Sequence, residues 1–330
     1  MGPVANKVAE FNEDFVVGSM DFSPDGNHLA TCPEALYSMD VHVRDWRSGD
    51  LVQVLKAGAA ATRGIVRYSP DGTLLAATHG HWKLVDPQLL RIWNVQTGAA
   101  VNDLEGPAIE YTTDFAFSHD GKLLVRTASR QGNGYFVAYR TDTWSVVWGL
   151  PTRFFIPSQL AVSPDGGFVA LAGNVFGPIE KVVGSLTKIL VVDLTKKVVS
   201  KSIDVFPTGI PAESLAWSPE GRFVAIGSLV QTSANRRAVQ VFDVTTGSQV
   251  VTEQADDFAG VTGLSYSADG RFLVEGYIDG KVRIWDGAHQ ALLQEVPVDD
   301  HFHTAVALSR DSRYLSVGAG QTVSIWELHR

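Results

Sequence analysis

His79-Gly-His81 and His301-Phe-His303 each place two imidazoles on alternate residues. On an extended chain alternate residues face the same way, so each pair could offer two nitrogen ligands to one metal. The plainer reading is polar loop surface, and it is preferred here; no metal and no cofactor is expected. Cys32 is the single cysteine and a nucleophile in principle, but alone in a connection between strands it reads as a bystander. No glycine-rich phosphate loop, GxSxG elbow, HExxH or C-x-x-C-H site occurs, so no catalytic residue is named and the balance is against an enzyme. Two further charges, Asp21 and Arg67, fall where neighbouring repeats carry small residues such as Ala161, Ala216 and Ala307, and the third repeat adds Asp114 two residues earlier. They could grip a small ligand. The preferred reading is a structural network between neighbouring repeats, since buried charges persist when paired.

The elements that position these residues are read from a repeat. One short motif recurs seven times, at Phe22-Ser-Pro-Asp-Gly26, Tyr68-Ser-Pro-Asp-Gly72, Phe117-Ser-His-Asp-Gly121, Val162-Ser-Pro-Asp-Gly166, Trp217-Ser-Pro-Glu-Gly221, Tyr266-Ser-Ala-Asp-Gly270 and Leu308-Ser-Arg-Asp-Ser312. The mean period is roughly 48 residues, slightly long for a repeat of this kind. Pro presets φ, Asp bonds its own backbone, and Gly accepts positive φ, so each copy predicts a tight turn between two strands. A β-branched strand closing on an aromatic residue follows, as in Leu90-Arg-Ile-Trp-Asn94, Val239-Gln-Val-Phe-Asp243, Val282-Arg-Ile-Trp-Asp286 and Val323-Ser-Ile-Trp-Glu327. Thr-Gly turns at Thr97-Gly98 and Thr246-Gly247 then lead to a fourth short strand. Four strands per unit with no helical period predict an all-β, seven-bladed β-propeller of four antiparallel strands per blade, one domain over residues 4–330. The chain stops after the third strand of the last blade. Lys7-Val-Ala-Glu-Phe11 is expected to supply the missing outer strand and close the ring, which removes an exposed edge.

With these motifs the sequence resembles the WD-repeat β-propeller family over nearly its whole length. The copies are degenerate. At the Trp position of the third strand the blades carry Arg44, Trp93, Tyr139, Val192, Phe242, Trp285 and Trp326, and the family's Gly-His pair is missing, with Glu13, Ala59 and Asp299 as typical occupants. The family's buried His-Ser-Asp-Trp network is therefore not expected here.

The resemblance implies a non-enzymatic interaction scaffold that binds a protein or peptide on the narrower top face. Connections between second and third strands lie there. They read as short in blades 6 and 7 and expanded in blades 1 to 5, at Cys32–Asp40, His79–Gln88, Ala128–Gly134, Gly173–Thr187 and Ser228–Arg237. Long connections tend to be functional, and aromatic and Arg side chains dominate interface energetics. Tyr37, His79, His81, Trp82, Arg130, Tyr135, Phe176, Arg236 and Arg237 are the candidate partner-binding residues, with Trp82 near the centre. The alternative is a small-ligand-binding or lactonase-like hydrolytic propeller using the top of the central channel, which a convergent charged pocket near Arg67 and His79 would favour.

Composition limits the partners. A net charge of −9 without basic clusters makes nonspecific nucleic-acid binding a poor fit. Apolar runs are strand-sized, so no membrane span is expected. One cysteine permits no internal disulfide and favours a reducing, cytoplasmic setting. The propeller is expected to be monomeric.

Overall fold

The turn motifs fold into closely similar knots of hydrogen bonds. The Ser23 hydroxyl donates to Asp25 Oδ1 at 2.5 Å, and the His28 amide donates back to Ser23 Oγ at 2.9 Å. Gly26 closes the turn at φ +71°, which a Cβ would resist. The serine–aspartate bond recurs at Ser69, Ser118, Ser163, Ser267 and Ser309. In the last copy Ser312 takes the left-handed position at φ +60° without being glycine. These bonds hold Asp120 and Asp165 below the ordinary carboxylate range, the Ser118 and Ser163 hydroxyls being the largest cause.

The computed structural model describes residues 3–34, 40–57, 64–79, 89–104, 111–130, 133–152, 154–175, 186–206, 210–228, 239–252, 260–298 and 303–329. Its strands form seven four-stranded antiparallel sheets. Blade 1 is β2 (Val17–Phe22), β3 (His28–Pro33), β4 (Val41–Asp45) and β5 (Leu51–Leu55). Blade 2 is β6 (Val66–Tyr68), β7 (Leu74–His79), β8 (Leu89–Asn94) and β9 (Ala100–Leu104). Blade 3 is β10 (Tyr111–Phe117), β11 (Leu123–Arg130), β12 (Asn133–Arg140) and β13 (Val146–Thr152). Blade 4 is β14 (Phe155–Val162), β15 (Phe168–Val175), β16 (Leu186–Asp193) and β17 (Val198–Phe206). Blade 5 is β18 (Ala212–Trp217), β19 (Phe223–Ser228), β20 (Val239–Asp243) and β21 (Gln249–Thr252). Blade 6 is β22 (Val261–Tyr266), β23 (Phe272–Tyr277), β24 (Lys281–Asp286) and β25 (Leu292–Pro297).

Blade 7 joins β26 (Thr304–Leu308), β27 (Tyr314–Ala319) and β28 (Thr322–Leu328) to the N-terminal β1 (Ala5–Asn12). The fold is the all-β, seven-bladed propeller that the repeat predicts. β1 runs antiparallel to β28 from Ala5↔Leu328 to Asn12↔Thr322, with one bulge between Lys7 and Ala9. Gln294 locks its start to blade 6, accepting the Ala5 amide and donating to the Ala5 carbonyl.

By its contacts the chain forms two units, Met1–Tyr111 with Ser265–Arg330, and Thr112–Leu264. In the first, Val43, Leu55, Val66, Leu75 and Trp93 form a core between blades 1 and 2. In the second, Ile189, Ile203, Trp217, Val224 and Phe242 do the same between blades 4 and 5. The middle strands are buried on both faces between neighbouring sheets, β20 and β23 along their whole length.

Two sequence expectations need correction. Cys32 is not in a connection: it lies within β3, fully buried, and burial pushes its thiol up to about 12. A thiol held protonated is a poor nucleophile. Blade 3 has no expanded connection either. β11 runs to Arg130 and pairs there with Asn133, the first residue of β12, which leaves no more chain between the two strands than in blades 6 and 7. His79, Gly173 and Ser228 likewise belong to strands, which leaves 80–88, 176–185 and 229–238 as the connections in blades 2, 4 and 5.

Candidate partner-binding face

Of the nine candidate residues, Tyr135 alone has a described side chain. It stands half-buried on β12, opposite Ala128 of β11 and Pro151 of β13. His79 pairs with Leu89 and Arg130 with Asn133 along the backbone, which puts both at strand ends beside the connections where they are expected. Tyr37, His81, Trp82, Phe176, Arg236 and Arg237 lie outside the described residues. His303 is half-buried just before β26, and its pair-mate His301 lies outside them too.

Tyr135 lines a surface cavity with Asn133, Gly134, Pro151 and Phe154. Phe154, in the short connection from blade 3 to blade 4, is 51% exposed and sits at φ +62°. A bulky residue in the left-handed region is strained, and such strain collects at functional positions. The corner that holds it is tight: Thr152 Oγ1 donates to the Phe155 carbonyl at 2.8 Å. β12 passes so close that a Cβ on Gly134 would meet Phe155 O at 2.1 Å and Thr152 Oγ1 at 2.4 Å. Gly134→Ala is expected to force the corner apart, costing about 1–3 kcal/mol in urea unfolding. An unchanged unfolding midpoint would show the corner to be loose. Sequence reading missed Phe154 because it falls between repeats; the doubled aromatic Phe154-Phe155 is the signal that marks it.

A buried charge network occupies blade 1. Glu13, whose side chain has no exposed surface, takes Arg44 bidentately, Nε to Oε1 at 2.9 Å and Nη2 to Oε2 at 3.0 Å. The Thr31 hydroxyl donates to Oε1 at 2.7 Å, and His42 Nδ1 lies 2.8 Å from Oε2. Burial alone would raise the Glu13 carboxyl; the bonds from His42, Arg44 and Thr31 outweigh it and lower it from 4.5 to about 2. Glu13, Asp14 and His42 bring ligand atoms within 4.8 Å of one another. Arg44 already supplies the positive charge there and would repel a cation, so the group is structural.

Two of the three inner-strand charges bond backbone amides of the next blade. Asp21 Oδ2 accepts the Tyr68 amide of blade 2 at 2.7 Å, and Asp114 Oδ2 accepts the Leu160 amide of blade 4 at 2.8 Å. Each carboxylate stitches its strand to the next blade's innermost strand. Burial pushes Asp21 above its ordinary value, although the charge of Arg67 opposes this.

A family model described as "WD domain, G-beta repeat" matches residues 6–40 and 247–286. The first stretch runs from β1 into β2 and β3, and the second from β21 through β22, β23 and β24. Each repeat thus begins on one blade's outer strand and continues into the next blade, as the blade-7 sheet order β1-β28-β27-β26 requires. The chain is a WD-repeat β-propeller. It is 24% identical over 159 residues to the COMPASS component SWD3 of Saccharomyces cerevisiae, an alignment covering 48% of this chain and 44% of that protein.

In blades 1 and 6 a buried carboxylate stands at the centre of the side-chain network. In blade 1 Glu13 stands where the family has His and Arg44 where it has Trp, and the two form the ion pair described above. In blade 6 Trp285 is kept, but its Nε1 donates at 2.8 Å to the fully buried Glu275. Tyr277 O–H donates to the same oxygen at 2.7 Å, and His289 Nε2 lies 2.7 Å from the other. His289 reaches that carboxylate from a left-handed turn position, at φ +55°. In blade 7 Trp326 bonds Ser324 instead, at 3.0 Å.

Proposed function

We propose that this WD-repeat propeller is a non-enzymatic scaffold, binding a protein or peptide on the face that carries the second-to-third-strand and inter-blade connections. The observation carrying this reading is the exposed, strained Phe154 beside Tyr135. An aromatic pair at a tight corner offers a rigid apolar anchor of the kind that dominates interface energetics. The likeness to a COMPASS component supports a role within a protein assembly. Tyr135, Phe154, Arg130, Phe176, Arg236 and Arg237 belong to one unit of the chain, and Tyr37, His79, His81 and Trp82 to the other. The two groups are tested separately.

Phe154→Ser and Tyr135→Ala are expected to weaken partner capture from native lysate by at least about 1–2 kcal/mol, with little change in melting temperature. Trp82→Ala is the matching test in the first unit. Capture unchanged by all three variants would overturn the proposed face. A single-domain, monomeric, cytoplasmic protein is part of the same proposal; one cooperative melting transition, sedimentation and cell fractionation test those points.

A further inference from the structure

Five residues surround the cavity beside Phe154: Asn133, Gly134, Tyr135, Pro151 and Phe154 itself. Tyr135 stands directly opposite Pro151 across β12 and β13, which sets the phenol ring beside the pyrrolidine ring. Pro151 is exposed, and Phe154 follows just after the strand ends. Three apolar ring surfaces therefore line one cavity. Two are carried on paired strands, and the Phe154 backbone is held by the Thr152–Phe155 bond and the close approach of Gly134. The polar side chains there are unspent. Neither the Tyr135 hydroxyl nor the exposed Asn133 amide forms a hydrogen bond among the described residues. No charged side chain lines the cavity among those residues.

This chemistry discriminates between the ways a peptide can dock. β13 is the outer strand of its sheet, yet Pro151 brings no N–H to it, which disfavours an added β-strand at the cavity. An amphipathic helix needs a long apolar groove for anchors spread over two turns, and the lining here is three rings. A polyproline II segment matches what is present. Its pyrrolidine rings pack on aromatic faces, its carbonyls accept hydrogen bonds, and its prolines carry no N–H that needs an acceptor. We propose, resting on the partner-binding reading above, that this corner of blade 3 binds a proline-rich peptide in the polyproline II conformation. A proline ring packs against Tyr135 and Phe154, while the Tyr135 hydroxyl and the Asn133 amide donate to the peptide's carbonyls.

The test is calorimetric titration of the full chain with an oligoproline peptide of about ten residues, with a glycine–serine peptide of equal length in a parallel arm. Saturable one-to-one binding of the oligoproline alone is expected. Phe154→Ser should weaken it at least about tenfold. Tyr135→Phe keeps the ring and loses only the donor, so it should weaken binding several-fold without moving the melting temperature. Arg140→Gln, at an exposed arginine paired with Asp142, should leave binding unchanged. Absence of saturable binding, equal binding of the glycine–serine peptide, or full affinity retained in either cavity variant would each overturn the proposal. The broader reading fails separately. If oligoproline does not bind while Phe154→Ser still reduces capture from lysate, this peptide class falls and the face stands; capture unchanged in all three variants named above removes the face as well.

Discussion

Arg44→Met is expected to destabilise the protein by about 3–5 kcal/mol, because it leaves the Glu13 carboxylate buried without its counter-charge. The pair is bidentate, Glu13 has no exposed side-chain surface, and the Arg44 guanidinium also donates to the Gly49 carbonyl at 2.9 Å. Removing one partner therefore strands a full charge as well as deleting a contact. The midpoint of urea unfolding should fall while the slope stays the same. The same site predicts an acid limb. The folded Glu13 carboxyl is lowered from 4.5 to about 2, so the unfolded chain binds the proton more readily. Its contribution is present above about pH 4.5 and is lost as the pH falls towards 2. Glu13→Gln should flatten that part of the stability profile. A cost below about 1 kcal/mol for Arg44→Met would mean that water reaches the pair.

Deleting residues 1–12 removes β1 and should cost several kcal/mol, with a loss of solubility. Blade 7 would keep three strands, and β28 would become an open edge offering unpaired amides and carbonyls to other chains. The buried faces of Val323, Ile325 and Leu328, against which Ala5, Ala9 and Phe11 lie, would meet water. The backbone entropy released by the missing strand offsets part of this loss. Hydrogen exchange in β28 should accelerate most, since that strand loses its outer neighbour. A truncated protein with the parent melting temperature and monomeric sedimentation would refute the closure.

What the sequence determined by itself was everything that repeats. A Ser-Pro-Asp-Gly turn works through local bonds, Ser23 to Asp25 and Gly26 at positive φ, so its meaning is complete within a few residues. Seven such turns with strand patterns between them specify seven blades, and the unpaired Lys7–Phe11 specifies which strand completes the last. What only the tertiary structure decided was which side chains meet across long separations. Glu13 and Arg44 read as two separate failures to match the family; folding brings them into one ion pair, each compensating for the other's departure. Pro70 and Arg310 lie in different repeats, and the turn of one reaches the turn of the other only once the blades are in place. The Ala128–Gly134 segment looked like a loop because its polar, glycine-bearing composition resembles one. Strand pairing overrode that local preference, since a hairpin running Arg130↔Asn133 satisfies backbone groups that a loop would leave to water. Phe154 is the reverse case: the Gly134 approach and the Thr152–Phe155 bond force it into solvent, and no property of phenylalanine in the sequence announces an exposed position.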